Sequence, residues 1–121
     1  MTYSNPQRPD FHWLNDDSRL FLQRGYLLEG TTALERIRYI AEHAERKLGI
    51  EGFADKFYHY MARGYYSLSS PIWSNFGLDR GLSISCFGSY IGDSINAIMS
   101  TVAEIGVMSK LGGGTSGYFG D

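Results

Sequence analysis

The chain has 121 residues, 43% of them hydrophobic, which is enough for one domain with a modest core. A net charge of -2 supplies no basic field for nucleic acid or an anionic membrane surface, no apolar run approaches the roughly 20 residues of a spanning helix, and the start MTYSNPQRPD lacks the apolar stretch of a signal peptide, so a soluble, cytoplasmic protein with neither of those partners is expected. A single cysteine, Cys86, excludes an internal disulfide, and His12, His43 and His59 make no metal-ligand spacing, so no metal site is expected.

Residues 1–10, polar and carrying Pro6 and Pro9, read as a loose lead-in. Leu14, Leu20, Phe21 and Leu22 flank the polar stretch Asn15 to Arg19, which predicts a short helix with Asp16 or Asp17 in its first turn, before Gly25. Thr32-Ala-Leu-Glu35 matches a capping box and opens a helix to about Leu48. Leu34, Ile37, Ile40, Ala41, Ala44 and Leu48 form its apolar face, and Gly49 stops it.

A further helix over residues 52–63 places Phe53, Phe57, Tyr60 and Met61 on one side, with Gly64 closing it. These two helices are expected to pair antiparallel, and the aromatic stripe to be core. Pro71 biases Ser70 away from helix, so residues 67–75 are predicted extended and irregular.

Leu82-Ser-Ile-Ser-Cys86-Phe alternates apolar and small polar residues, the period of a short strand, with Ser83 and Ser85 on one face and Cys86 on the other. Gly88 and Gly92 break the chain, and Asp93 or Ser94 can cap a helix to about Leu111. Ile95, Ile98, Met99, Val102, Ile105, Val107 and Met108 make that helix apolar over a wide arc, which implies burial on more than one side. The fold class is therefore α+β and mostly helical.

Three features could carry chemistry. The run Gly112-Gly-Gly-Thr115-Ser116 either lets backbone N–H groups approach a phosphate or is a helix stop with a flexible tail; Lys110 precedes the glycines, so it is no P-loop. Cys86 is either a redox thiol or a small buried hydrophobe. Asp93 is either a capping residue or part of a ligand site at a helix N-terminus. No histidine stands in triad-like spacing to a serine or cysteine, and no pair of carboxylates forms an acid/base couple.

Two stretches, Tyr65-Tyr-Ser-Leu-Ser-Ser-Pro-Ile-Trp-Ser-Asn-Phe-Gly77 and Gly81-Leu-Ser-Ile-Ser-Cys-Phe-Gly-Ser-Tyr-Ile-Gly-Asp-Ser94, carry a resemblance, joined by Met108-Ser-Lys-Leu-Gly-Gly-Gly-Thr-Ser116. Together with Leu14-Asn-Asp-Asp17 and Gly25-Tyr-Leu-Leu-Glu-Gly30, they resemble the N-terminal part of the ribonucleotide reductase large, catalytic subunit, class I in type. The resemblance implies an N-terminal helical region over residues 1–66 and, over 67–121, the first strands and helix of a ten-stranded α/β barrel, cut short in mid-barrel. It leaves no room before Phe11 for a nucleotide-binding cone domain.

By the same resemblance, Cys86 is one of two cysteines that close a disulfide as the ribonucleotide loses its 2′-hydroxyl, and Ser70, Ser85, Cys86 and Gly114 contact the nucleoside diphosphate. Asp93, Ser94 and Ile95 match the binding place of a deoxynucleotide or ATP effector. The resemblance also implies a homodimer through the 94–111 helix, the remainder of the large subunit as a partner, and a radical source on a separate small subunit, di-metal in class I. The radical-carrying cysteine and the partner of Cys86 would lie in that remainder, so the chain is expected to be inactive alone. The rival expectation is a non-catalytic nucleotide-binding or assembly module that pairs with a reductase subunit.

Overall fold

A computed structural model describes residues 8–120. Helix α1 spans Asp16–Gln23, α2 Ala33–Leu48, α3 Phe53–Ala62 and α4 Ser70–Asn75; strand β1 (Cys86–Tyr90), helix α5 (Ile95–Lys110) and strand β2 (Gly114–Tyr118) follow. Most of the expected lead-in lies outside the described residues. Its end is tied down: Arg63 donates to the Arg8 carbonyl at 3.3 Å and pairs with Asp10 at 3.8 Å, and Phe11, the next residue, donates its N–H to the Ala62 carbonyl at 2.7 Å.

The first three helices form where their termini predict. Asn15 caps α1 by accepting the Ser18 N–H, and Asp16 and Asp17 stand in the first turn, where negative charge suits the helix dipole. The capping box at α2 is complete: Thr32 accepts the Glu35 N–H at 3.3 Å, and the Glu35 carboxylate accepts the Thr32 N–H at 2.8 Å. Those hydrogen bonds hold the Glu35 carboxyl below its usual range. Gly49 ends α2 at φ 66, a left-handed conformation that glycine adopts without a Cβ clash.

Helices α2 and α3 run antiparallel across the turn of residues 49–52, as their side-chain pairings require. Glu45, late in α2, accepts the N–H of Ala54 at the start of α3, while Arg38, earlier in α2, pairs with Asp55 at 2.9 Å and lies over the Tyr58 ring. The core between them and α1 gathers Leu14, Leu22, Ala33, Ile37, Met61 and Trp73, with Phe11, Trp13 and Phe57 packed around it. Removing these side chains from water is the main term that holds the helical layer together. Leu48 and Tyr60, expected in the apolar faces, are exposed instead.

Residues 70–75 depart from the expected extended segment, because they form α4. Ser69 takes the extended N-cap conformation, and Pro71 lies in the first helical turn, where its missing N–H would have had no intrahelical acceptor and its fixed φ suits the helix. The bias that proline imposes on its predecessor is overridden because Pro71 and Trp73 are buried against α2.

The strand expected over 82–87 begins four residues later, at Cys86, and runs through Gly88, which is therefore no chain break. The alternation survives: Ser83, Ser85, Phe87 and Ser89 are partly covered, while Ile84, Cys86, Gly88 and Tyr90 are exposed. The glycine-rich end is not a frayed tail. It is β2, paired parallel to β1 with Cys86 opposite Gly114 and Tyr90 opposite Tyr118. Parallel pairing needs a long crossover, and α5 supplies it, so residues 86–118 form a βαβ unit. The described residues are thus mostly helical with a small two-stranded parallel sheet, and no helix among them is long and apolar enough to cross a membrane.

Candidate active site on the paired strands

The register of the two strands brings together residues that stand far apart in sequence. Gly114 lies opposite Cys86 and donates its N–H to the Ser85 carbonyl. A Cβ at Gly114 would come within 2.9 Å of that same oxygen, so only glycine lets the backbones approach. Gly113 is held equally close to Phe87, whose ring carbons would stand 2.7 and 2.8 Å from an added Cβ. The glycine run therefore serves first to seat β2 against β1.

The Cys86 thiol is exposed, with the Ser85 hydroxyl 3.6 Å from its sulfur. Three of the four expected substrate residues, Ser85, Cys86 and Gly114, thus share one end of the strand pair. An exposed thiol beside a hydroxyl and a bare stretch of backbone leaves room for a polar ligand to reach the sulfur. The fourth, Ser70, is exposed at the first position of α4, and among the described residues no hydrogen bond joins it to the strands.

Asp93, Ser94 and Ile95 lie beyond the other end of β1. Ser94, not Asp93, caps α5, accepting the Ala97 N–H at 3.2 Å. Asp93 is exposed, and Ile95 is 72% exposed at the start of an outward stripe that continues with Met99 and Val102. The four steps of β1 from Cys86 to Tyr90 span about 13 Å at roughly 3.3 Å per residue, and the trio follows beyond Tyr90.

Two features had no counterpart in the expected site. Arg36 is 2% exposed on the core face of α2, and its guanidinium donates to three carbonyls at the end of α4: Trp73 at 2.7 Å, Ile72 at 3.1 Å and Phe76 at 2.8 Å. Burial pulls its pKa down. A signal existed in the spacing, since Arg36 falls between Ala33, Ile37 and Ile40 on the apolar side. The second feature is a cavity of about 750 Å³ lined by Trp13, Phe21, Tyr66 and Trp73 among others, which holds none of the expected site residues. At its edge, burial pushes the Tyr66 phenol up to about 12 while its O–H donates to the Phe57 carbonyl. Among the described residues no group of three or more His, Cys, Asp or Glu is placed to hold a metal ion.

Comparison with known proteins decides the family. The family model described as "Ribonucleotide reductase, all-alpha domain" matches residues 13–81. The chain belongs to the ribonucleotide reductase large-subunit family. The "Ribonucleoside-diphosphate reductase large subunit" of Invertebrate iridescent virus 6 is 33% identical over 95 residues, which is 77% of this chain and 10% of that protein. The protein of the same name from Invertebrate iridescent virus 3 is 38% identical over 64 residues, 53% of this chain and 10% of its own length. A solved structure, the "Actinobacillus ureae class Id ribonucleotide reductase alpha subunit", matches at a TM-score of 0.90 and 86% identity over 95% of this chain, so that match extends into the βαβ unit. It covers 22% of that subunit; the chain spans about a tenth of the curated reductases and about a fifth of the solved one.

Proposed function

We propose that this chain is the N-terminal part of a cytoplasmic ribonucleoside-diphosphate reductase large subunit, and that it contributes one thiol and part of the substrate cradle to an active site completed by the remainder of that subunit. One observation carries the reading: cross-strand pairing sets Gly114 against Ser85 and Cys86, leaving an exposed thiol, a hydroxyl and a side-chain-free backbone at one place. On this reading, residues 1–66 are the helical region and 67–121 the start of the ten-stranded barrel, with α4 at the joint between them. The βαβ unit is the repeat from which such a barrel is built, and its bare strand edges are where further strands would pair.

In the proposed reaction, Ser70, Ser85 and Gly114 hold the nucleoside diphosphate while Cys86 acts as a reductant. The 2′-hydroxyl leaves as water, and two thiols supply the two electrons and two protons, closing a disulfide between Cys86 and a cysteine of the remaining subunit. The radical that opens this chemistry comes from a separate small subunit, di-metal in class I, and none of the proposed roles of this chain needs a cofactor bound to it. Asp93, Ser94 and Ile95 receive a deoxynucleotide or ATP effector at the start of α5, whose apolar face pairs two large subunits. Effector and substrate then influence each other reciprocally across the βαβ unit.

Thiol trapping tests the proposal. In the complete pre-reduced subunit with its small subunit but no external reductant, one round of nucleoside diphosphate turnover should convert Cys86 from an alkylatable thiol to a protected one, and a dithiol should restore it. A Cys86 that alkylates equally before and after turnover would contradict the assignment.

A further inference from the structure

The expected substrate residues lie on two pieces, Ser70 on α4 and the rest on the strand pair, and the connection between them is fastened at one point. Asn75, the last residue of α4, donates its side-chain N–H to the Leu82 carbonyl at 2.7 Å, four residues before Cys86. The chain between folds onto the same helix end: Leu78 donates its N–H to the Asn75 carbonyl at 2.9 Å, and Arg80 reaches the Ser74 carbonyl with two guanidinium nitrogens at 3.2 and 2.8 Å. Gly81 wraps the Asn75 amide closely. It adopts φ 60, and a Cβ there would lie 2.6 to 2.9 Å from the amide atoms. From the other side, Arg36 binds the Ile72, Trp73 and Phe76 carbonyls and so anchors this helix end to α2.

We propose that Asn75 is a positioning residue, whose amide clamps the Leu82 carbonyl and thereby sets the spacing between Ser70 and the strand bearing Ser85 and Cys86. This rests on the substrate site proposed above. The geometry favours positioning over simple helix capping, because the amide reaches away from α4 and grips the segment that leads into β1. Helix α4 is itself held by Arg36, so the clamp has a fixed base. Releasing it frees the strand to shift relative to Ser70 while leaving the helical core untouched.

The test uses the complete subunit with its small subunit and a dithiol reductant, comparing wild type, Asn75→Asp, Gly81→Ala and Cys86→Ser. Asn75→Asp keeps the shape but turns the donor into a carboxylate facing a carbonyl; Gly81→Ala keeps the amide but places a Cβ 2.6 Å from its nitrogen and so displaces it. Both should raise KM for the nucleoside diphosphate about fivefold or more and lower kcat, since a strand misplaced by even 1 Å divides the substrate contacts. Effector binding should stay at wild-type values in both, and the melting temperature should stay at the wild-type value in Asn75→Asp and fall modestly in Gly81→Ala, whose alanine must hold φ 60. Loss of folded enzyme lowers kcat alone, so an unchanged KM in both variants would overturn the clamp, as would a fall in melting temperature that accounts for all lost activity. The Cys86→Ser control separates the two levels: full turnover in that variant sinks the proposed site itself, whereas its inactivity beside a wild-type KM in Asn75→Asp sinks only the clamp.

Discussion

At the scale of single residues, two side chains invert their ordinary roles. Cysteine is among the most often buried residue types, yet Cys86 is exposed on the open face of β1. Arginine is almost never buried unless paired, yet Arg36 is buried and among the described residues forms no salt bridge with a carboxylate. Its partner is the negative end of α4, where the Ile72, Trp73 and Phe76 carbonyls accept three hydrogen bonds and offset the charge, Ile72 also accepting the Phe76 N–H. Arg36→Met preserves much of the volume but strips the Trp73 and Phe76 carbonyls of the donor that Arg36 supplies, so denaturant unfolding should show a loss of roughly 3 kcal/mol, larger than for Arg36→Lys, which retains the charge. A loss under about 1 kcal/mol would mean that water satisfies the carbonyls equally well.

At the scale of elements, α5 separates its two sides clearly. Thr101 is buried, with Ala97, Ile98, Ile105 and Met108 partly covered, while Ile95, Met99 and Val102 are 72%, 61% and 55% exposed. An uncovered apolar stripe of this kind favours association. Val102→Lys should therefore shift this chain toward monomer in sedimentation without lowering its melting temperature, whereas a charge at half-buried Ile98 should cost stability. Equal self-association of wild type and Val102→Lys would remove the stripe from any interface. The helices were legible because their information is local: the Thr32-Glu35 box, the left-handed glycines and the 3.6-residue period all act within a few residues. The short helix α4 was not, since the rule for residues before proline is local too and was outweighed by burial of Trp73 and the distant hold of Arg36. Strand β2 was hidden for a related reason. Gly114-Thr-Ser-Gly-Tyr118 has little strand propensity of its own and becomes a strand only because β1 offers it a ladder that glycines alone can approach.

At the scale of the whole molecule, the chain divides its labour. The helical layer owns the apolar core and supports α4, while the βαβ unit carries the thiol, the glycines and the start of α5. Of the candidate site, Ser85, Cys86 and Gly114 were each readable from the motifs, but their contact was not, because strand register depends on pairing partners 28 residues apart in sequence. The central claim is that this chain lends a reducing thiol to a reductase. It is tested most directly by measuring deoxynucleotide formation, with effector binding alongside, in the complete subunit reconstituted with its small subunit and a dithiol. Cys86→Ser is nearly isosteric, so effector binding should match wild type while turnover is lost, because a hydroxyl can neither donate the electrons nor close the disulfide. Equal turnover by wild type and Cys86→Ser would contradict the claim and leave Cys86 a residue of the strand surface alone.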